Sequence, residues 1–448
     1  MHLHYGLRWL CALPLIVHAS AFPGAASNHH DAQLHQDLHK RCPYANHGAP
    51  EKIMQHEKRF LVDSMKSPVE VTGVHAFQPP NFEKGDQRGP CPGLNALANH
   101  GYIPRNGVVS FAHVIQAINQ VYGMGIDLAT VLAIMGTVWT GDPLSLDPRF
   151  SIGGRSTGVN NLLDNLGGLL AIKGEPQGLI GSHNFIEADS SNTRDDIYVT
   201  GNNYVMNMDK FMSWYNMSTD GTFDMDLMAL RAKNRFEETI KSNPNFYYGP
   251  VTGLIARNAG YIFPGRLFRN HSVDNPEGVL TKYALRNFYA VYGEGSNLTY
   301  KEGWEQIPSN WYKTPVDYGL VQLNLDIIDF LLKYPELGSV GGNTGKVNSF
   351  AGVDLADLTG GLFNATNLLE GNSLLCFAFE VLKFASPNAL SSLYSTLAQP
   401  LAFLGNILAT PLLDITCPAM KDLQIGGKPF WQAIQDDFPG AKMSGRAF

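Results

Sequence analysis

Apolar residues recur along this chain mostly with the spacing of an α-helix. In the segment 109–125, VSFAHVIQAINQVYGMG, one connected apolar face is formed by Phe111, Val114, Ile115, Ile118 and Tyr122. Ser110 is a suitable N-cap for this segment, and Gly123 is a suitable residue to end it. The pattern therefore predicts an amphipathic helix between Ser110 and Gly123.

Three further segments show helical spacing. Residues 126–143, IDLATVLAIMGTVWTGDP, are apolar on every side, which is typical of a buried helix. Residues 224–243 and 317–334 are amphipathic, and each stops directly before a proline. The region 350–416 adds more apolar helical runs, and no segment alternates strongly enough to predict a comparable strand. We therefore expect a mostly α fold.

Composition narrows the class of protein. At 448 residues, 44% hydrophobic and 16% charged, the chain can bury a large core. A net charge of −7 without a long basic run argues against nucleic acid or an anionic membrane surface as the main partner. After the first 21 residues, no run stays apolar for the roughly 18 residues that a membrane span needs. These features indicate a globular protein that binds a small molecule.

The chain begins with the features of an exported protein. Residues 1–21 combine one positive charge, an apolar run and small residues before a cleavage site, which predicts a secretory signal peptide. Residues 22–60 are polar and rich in histidine, with two dibasic pairs, and we expect a propeptide or a loosely attached arm. A single large domain is then expected over 61–420, followed by a polar C-terminal tail over 421–448.

Sequons and cysteines fit a secreted protein. Sequons for N-glycosylation stand at Asn216, Asn270, Asn297 and Asn364. Once Cys11 has left with the signal, four cysteines remain: Cys42, Cys91, Cys376 and Cys417. We expect a Cys376–Cys417 disulfide, because both residues lie in a late apolar helical region and the compartment is oxidising. A Cys42–Cys91 bridge remains open as an alternative to a reactive Cys91.

Cys91 lies in the most informative stretch of the chain, GPCPGLNALANHGYIPRNG at 89–107. Pro92 suits the first position of a helix, which places Cys91 at the N-cap. The free N–H groups of the first turn are expected to point at the sulfur: those of Gly93, Leu94 and Asn95. Because they and the helix dipole lower the pKa of a thiol, the sequence predicts a nucleophilic or metal-ligating thiolate. A buried cysteine beside a Pro-Gly turn is the alternative.

A second stretch is acidic, HNFIEADSSNTRDD at 183–196. Three side chains with oxygen ligands alternate in it: Glu187, Asp189 and Ser191. Oxygen ligands favour a hard cation such as Mg²⁺ or Mn²⁺. A solvated acidic loop, with Arg194 and Asp195 as a surface pair, is the alternative.

Taken together, the two stretches resemble the haem-thiolate peroxidases of fungi, the family of chloroperoxidase and the unspecific peroxygenases. PCPGLNALANHGYIPRNG is similar to the family's proximal signature, and EADSSNTR to its second signature. NPNF at 243–246, GLIARNAGYIF at 253–263 and the late cysteine pair add to the resemblance, which spans about 60–420. It implies a single large helical domain that encloses a haem, and an enzyme that uses hydrogen peroxide to oxidise, oxygenate or halogenate a small organic molecule.

The resemblance also assigns residues on the proximal side. It implies that Cys91 is the axial thiolate of the iron of haem b, which favours O–O cleavage of a peroxide. It implies that the neighbouring part of the signature holds the proximal loop and helix in place, with Arg105 near a haem propionate. The residues concerned are Asn99, His100 and Arg105, and for His100 a purely structural role is an equal alternative.

Beside a haem propionate, the resemblance implies a magnesium or manganese ion. Its ligands would be Glu187, Ser191 and the backbone carbonyl of Ala188. His183 would lie near the haem edge or on the distal side, with a core histidine as the alternative.

The chain departs from the family on the distal side. The family has a glutamate in the segment that matches ARNAGYIF at 256–263, where alignment puts Asn258, or Ala259 or Gly260 after a small shift. An amide cannot cycle a proton at neutral pH. His183 and Arg257 are therefore candidates to replace the glutamate. A haem-binding protein of the same fold with little or no turnover is the alternative function, and a haem-free domain with a Cys42–Cys91 disulfide is a third.

Overall fold

The computed structural model describes residues 67–142, 147–159, 176–354, 373, 424–425 and 427–444. All of them belong to one compact unit, which comprises Val62–Ser391 and Cys417–Phe448. The expected signal peptide and arm, Cys42, the Cys376–Cys417 pair and Asn364 lie outside the described residues. Within those residues, none of the helices has both the length and the apolar character that crossing a membrane requires.

Helices are the main regular elements of the described residues, which is compatible with the predicted mostly α fold. The α-helices are α1 (Pro92–Asn99), α2 (Phe111–Tyr122), α3 (Ile126–Thr140), α4 (Ile197–Thr200), α5 (Met208–Tyr215), α6 (Met225–Ser242), α7 (Asn258–Leu267), α8 (Lys282–Phe288), α9 (Leu320–Lys333), α10 (Phe430–Asp437) and α11 (Pro439–Ser444). A π-helical turn, Thr252–Arg257, leads directly into α7.

Short antiparallel strands connect the helices. They are β1 (Val108–Ser110), β2 (Arg149–Ser151), β3 (Tyr247–Tyr248), β4 (Val291–Tyr292), β5 (Thr299–Tyr300), β6 (Gly341–Asn343), β7 (Phe350–Gly352), β8 (Gln424–Ile425) and β9 (Lys428–Pro429). The pairs are β1 with β2, β4 with β5 and β8 with β9, and β6 lies between β3 and β7. Each of these strands has two or three residues, so the pairs connect loops and do not build an extended sheet.

The caps of α2 form as its sequence predicts. The Ser110 Oγ accepts a hydrogen bond from the His113 N–H at 3.4 Å, and Gly123 ends the helix in the left-handed region with φ 68°. A residue with a side chain is strained in that region, which explains the glycine. The four predicted helices are confirmed as α2, α3, α6 and α9.

The helices pack in two groups around the site described below. α2 packs against α3, and α7 packs against both α6 and α9. α8 contacts α1, and a cluster of aromatic side chains packs beside Gly93 of α1. In this cluster, Phe268 stacks on Phe288 with ring centroids 4.0 Å apart, and Tyr122 lies against both rings. Trp311 lies against Phe288 and Tyr122. α1 is thereby anchored in the core.

The expected polar tail after residue 421 is instead part of the compact unit. Phe438, between α10 and α11, is 2% exposed and its ring lies 6.1 Å from that of Tyr247 in β3. Gly440 contacts the backbone of Asn245 so closely that a Cβ there would meet its carbonyl oxygen. Its own carbonyl accepts a hydrogen bond from the Asn184 side chain at 3.3 Å. Residues 427–444 therefore pack against the rest of the compact unit, although the sequence predicted a polar tail from residue 421.

Candidate functional site

A cavity of about 310 Å³ opens between α1, α2, α3 and α7. Its wall is largely apolar, with side chains that include Val114, Ile118, Leu132, Met135, Phe150, Phe263 and Leu267. Its polar and reactive wall residues include Cys91, Glu187, Ser191, Asn203, Arg194 and Arg257. An apolar pocket with a few convergent polar groups is the usual form of a small-molecule site.

Cys91 is positioned by the start of α1. It is the N-cap, in an extended conformation with φ −91° and ψ 107°, and Pro92 is the first helical residue, as predicted. The N–H groups of Leu94 and Gly93 act on the sulfur and lower the pKa of the thiol. The Asn95 N–H does not, because it donates to the Cys91 carbonyl oxygen at 3.1 Å. The sulfur therefore has two of the three expected donors.

The pKa of the Cys91 thiol differs from the sequence prediction. Burial raises it above its ordinary value, and this outweighs the lowering by Leu94, Gly93 and the charge of Arg194. Cys91 is a free cysteine, half-buried because it faces the cavity. The protein alone thus favours a thiol, and a metal cation at the sulfur would remove the proton.

Three other residues of the proximal signature, Asn99, His100 and Arg105, do not reach the cavity wall. Asn99 donates to the backbone carbonyls of Gly303 and Glu305 at 2.7 and 2.8 Å. The His100 Nδ1 lies 2.7 Å from the His75 carbonyl oxygen, so this histidine has its structural role.

Arg105 likewise binds protein backbone. Its guanidinium donates to the carbonyl oxygens of Asn99, Val74 and Ala76. Asn99, His100 and Arg105 are absent from the residues that line the cavity. They hold the loop after α1, as expected, and the guanidinium of Arg105 makes its contacts away from the cavity lining.

The acidic stretch is buried. Glu187 and Asp189 are 8% and 1% exposed, which contradicts the alternative of a solvated loop. Glu187, Ala188 and Ser191 all line the cavity, as the metal-site prediction requires. The Glu187 Oε2 lies 2.6 Å from the His183 Nδ1 and accepts from the Asn203 side chain at 2.7 Å. Its Oε1 is buried without a hydrogen-bond partner.

His183 lies behind this carboxylate and is absent from the cavity lining. Burial would lower the pKa of His183, but the charges of Glu187 and Asp189 raise it to about 9. Burial also raises the pKa of Asp189, whose carboxylate accepts from the Tyr247 N–H at 3.1 Å. Among the described residues, no group of three or more His, Cys, Asp or Glu side chains is arranged to hold a metal ion.

Of the distal candidates, Arg257 lines the cavity, and Asn258 and His183 do not. Arg257 lines it, but its guanidinium donates to the Ser190 Oγ, the Asn258 Oδ1 and the Ala232 carbonyl. Asn258 does not line it, and its side chain donates to the Leu254 carbonyl at 3.0 Å. Of the three residues predicted for the distal position, Asn258 therefore does not face the cavity, whereas Ala259 and Gly260 do.

Gly260, and not Asn258, is exposed to the cavity on the face of α7 that lines it. Ala256, Gly260, Phe263 and Leu267 line the cavity with helical spacing. No atom lies within 4 Å of the position that a Cβ on Gly260 would take. The wall therefore has open space at Gly260 and no titratable side chain there.

The sequence did not identify two charged residues near Cys91. Arg194, which the alternative of a solvated loop placed at the surface, is 4% exposed and lines the cavity, with its Nη2 atom 3.6 Å from the Glu305 Oε1. Burial raises the pKa of Glu305, while Arg194 and Asn95 oppose this rise. Asp195 pairs with Lys210 instead of Arg194. The motif EADSSNTR contains Arg194, whereas no sequence pattern pointed to Glu305.

Three buried arginines hold the loop that carries Ser191. Arg231 and Arg235 of α6 donate to the carbonyl oxygens of Asn192 and Ser191, respectively. Arg257 binds the Ser190 hydroxyl at 2.8 Å. These bonds fix the backbone of the cavity wall, and sequence reasoning missed the two arginines of α6 because charged residues on an amphipathic helix are normally assigned to its solvent face.

Comparison with known proteins places the site in a family. The sequence model described as "Peroxidase, family 2" matches residues 75–316. The chain is 60% identical over 390 residues to "Aromatic peroxidase fscJ" of Fusarium equiseti, covering 87% of this chain and 89% of that protein. It is 39% identical over 377 residues to "Dothistromin biosynthesis peroxidase dotB" of Dothistroma septosporum, covering 83% and 88%.

A more distant relative is "Aromatic peroxygenase" of Coprinellus radians, 32% identical over 179 residues, covering 38% of this chain and 62% of that protein. The family match spans more than half of the chain and includes Cys91, Glu187 and Ser191. With its cysteine at a helix start on the wall of an apolar cavity, the chain belongs to peroxidase family 2, the fungal haem-thiolate peroxidases, and is an oxidoreductase that uses peroxide.

Proposed function

We propose that this protein binds haem b in the cavity through the Cys91 sulfur and uses hydrogen peroxide to oxidise, oxygenate or halogenate a small aromatic molecule. The observation that carries the proposal is the free thiol of Cys91 at the N-cap of α1, facing an apolar cavity. The aromatic substrate class is taken from the names of the relatives in Fusarium equiseti and Coprinellus radians.

The residues present fit a haem. Besides the soft sulfur ligand, the cavity wall contains two buried atoms without a hydrogen-bond partner, the Arg194 Nε and the Glu187 Oε1. An unpaired buried polar group costs about 1–3 kcal/mol, so both sites favour a polar or charged partner. The donors of Arg194 suit a carboxylate such as a propionate. When bound, a thiolate-ligated haem supplies cleavage of the peroxide O–O bond.

The protein's own residues then have three tasks. Cys91 binds the metal, and the N–H groups of Leu94 and Gly93 stabilise its negative charge. The apolar side chains of α2, α3 and α7 exclude water and hold an apolar substrate. The open space at Gly260 gives the substrate room beside α7.

A spectrum of the ferrous–CO complex tests the thiolate ligand. Haem-loaded protein is expected to show a Soret band well to the red of a histidine-ligated haem, and Cys91→Ala is expected to lose it. His113→Gln, an exposed change on α2, is the matched control and retains the band. A Cys91→Ala protein with the same red-shifted band would overturn the proposal.

A second candidate function is a haem-binding protein with little turnover. The observation that favours it is the lack of a free carboxylate for proton transfer. Among the described lining residues, Glu187 is the single carboxylate, and it is held by His183 and Asn203. Peroxide with an aromatic substrate separates the two functions. Sustained turnover by the haem-loaded protein excludes the binding-only function, and haem binding without turnover supports it.

We also propose an accessory magnesium or manganese ion held by Glu187, Ser191 and the Ala188 carbonyl. It is supported by the shared position of these residues on the wall and by the unpartnered Glu187 Oε1. Metal analysis of haem-loaded protein is expected to find one such ion per chain, and Glu187→Gln is expected to lose it. Equal metal content in both proteins would contradict the assignment.

Export is proposed from the sequence. The signal peptide over 1–21 and the sequons at Asn216 and Asn297, both exposed, support a secreted glycoprotein. Asn270 is half-buried and accepts from the Tyr312 N–H at 2.8 Å. N-terminal sequencing of protein from the culture medium locates the cleavage, and a glycosidase is expected to reduce its mass. Retention inside the cell would contradict this proposal.

A further inference from the structure

Glu305 is a fully buried carboxylate that connects two parts of the site. Its Oε1 accepts from the Asn95 Nδ2 at 3.0 Å and lies 3.6 Å from the Arg194 Nη2. Its backbone carbonyl accepts from the Asn99 Nδ2 at 2.8 Å. Asn95 and Asn99 lie one turn apart on α1, so this helix holds both the side chain and the backbone of Glu305.

Asn95 ties this contact to Cys91. Its side chain forms two hydrogen bonds with the backbone of Gly89, one to the N–H and one to the carbonyl, each 3.0 Å long. Its own N–H donates to the Cys91 carbonyl at 3.1 Å. Asn95 therefore fixes the loop that carries Cys91. The Nδ2 of Asn95 also donates to the Glu305 carboxylate.

Arg194 lies at the other end of the network. It lines the same cavity as Cys91, is 4% exposed, and its guanidinium carbon lies 5.9 Å from the ring centre of Tyr289. A buried positive charge beside a metal–thiolate group stabilises the added electron of the reduced metal, because the surroundings screen charges weakly. Glu305 opposes that effect, since its negative charge compensates Arg194.

We propose that Glu305 is a positioning residue of the thiolate side. By joining Asn95 to Arg194, it fixes and partly neutralises the positive charge near the Cys91 sulfur, and so sets the reduction potential of the haem iron. This inference rests on the proposed function, because it requires a haem bound through Cys91.

Glu305→Gln tests the charge directly. The glutamine oxygen still accepts from Asn95, but Arg194 loses its negative partner. The ferric–ferrous equilibrium is expected to shift towards the ferrous form by about tenfold, or about 59 mV to more positive potential for one electron. The measurement is a spectroelectrochemical titration of the haem-loaded protein, together with the position of the ferrous–CO Soret band.

Two control variants separate charge from packing. Glu305→Asp keeps the charge and is expected to retain most of the wild-type potential. Asp326→Asn removes a different buried carboxylate, which accepts from the Arg266 Nε at 2.8 Å and from the Tyr318 hydroxyl at 2.7 Å away from the cavity lining. It is expected to lower stability and leave the potential unchanged.

A folded, haem-loaded Glu305→Gln protein with the wild-type potential would overturn the inference. If that variant does not fold, Arg194→Gln takes its place, with the opposite expected shift to more negative potential, and an unchanged potential again overturns the inference. A wild-type protein without the red-shifted Soret band would overturn the proposed function instead, so the two failures are distinguishable.

Discussion

At Gly260 the wall of the cavity lacks a side chain and has room for one. The residue lies inside α7, so a side chain there also favours the helix, by up to about 1 kcal/mol relative to glycine. We expect Gly260→Glu to place a titratable carboxylate in the cavity and to raise peroxide-dependent turnover, by up to the roughly 10²- to 10⁴-fold that a general acid–base contributes. Steady-state kinetics at saturating peroxide measures this.

Gly260→Gln is the matched control, because it has the same size and cannot cycle a proton. Equal turnover of the glutamate and glutamine variants would show that proton transfer does not limit the reaction at this position.

His100 makes stability depend on pH. Its Nε2 accepts from the Ile307 N–H at 3.2 Å and its Nδ1 lies 2.7 Å from the His75 carbonyl, so the folded state holds the neutral ring. Burial lowers the pKa of His100 below its ordinary value. The unfolded state then binds a proton that the folded state does not, and stability falls as the pH drops below about 6.5.

We expect the free energy of unfolding to decrease on this account by up to about 1.4 kcal/mol per pH unit between the two pKa values. Chemical denaturation from pH 7 to pH 5 measures the slope. His100→Gln is expected to reduce the slope, and the exposed His113→Gln is expected to leave it unchanged. An unaltered slope in His100→Gln would refute the assignment.

Single residues show where sequence reasoning succeeds. Cys91 and Pro92 were placed correctly because capping depends on neighbours in the chain. The rise in the pKa of Cys91 was not predicted, because burial comes from distant segments. Glu305 was missed for the same reason: its partner Asn95 is 210 residues away in sequence.

At the scale of elements, the orientation of α7 decides which residues meet the cavity. Ala256 and Gly260 share one face, and Asn258, two residues before Gly260, points away from it. The sequence predicts helical structure here but carries apolar residues on several sides, so its periodicity does not orient the helix. The π-helical turn Thr252–Arg257 further shifts the register, which an alignment cannot show.

The loop after Glu187 depends on α6. Arg231 donates to the Asn192 Oδ1, the Asn192 carbonyl and the Lys210 carbonyl. We expect Arg231→Ala to reduce the free energy of unfolding by at least about 2 kcal/mol, because these buried acceptors lose their donor. Lys233→Ala, on the same helix, removes an exposed pair with Glu237 and is expected to cost less than about 1 kcal/mol.

Urea denaturation of both α6 variants provides the comparison. Equal losses of stability would mean that the buried arginine contributes no more to the fold than a surface pair.

At the scale of the whole molecule, the segment after residue 427 completes the compact unit. Phe438 is 2% exposed, so Phe438→Ala is expected to lower the free energy of unfolding by about 3–5 kcal/mol. Gln432→Ala, an exposed change on α10, is expected to stay within about 0.5 kcal/mol of wild type. A loss below about 1 kcal/mol for Phe438→Ala would mean that this segment packs only loosely.

The helical spacing of apolar residues in this segment indicated a packed helix, but its polar composition suggested a tail. Ile434, Phe438 and Ala441 recur at helical spacing and are all buried, but polar and glycine residues around them suggested a tail. The helical class and the helices α2, α3, α6 and α9 followed from periodicity, which is local. The pairing of β3 with β6 and the closure of the cavity depend on contacts between distant segments, which periodicity does not encode.

The hydrogen bond between Asn184 and Gly440 joins residues 256 positions apart. Asn184 belongs to the segment that leads into Glu187 and the cavity wall. At a synthesis rate of about 5–20 residues per second, roughly 10–50 s pass between the emergence of these two residues from the ribosome. The segment beside Glu187 thus gains this hydrogen bond only after nearly all of the described residues have been synthesised.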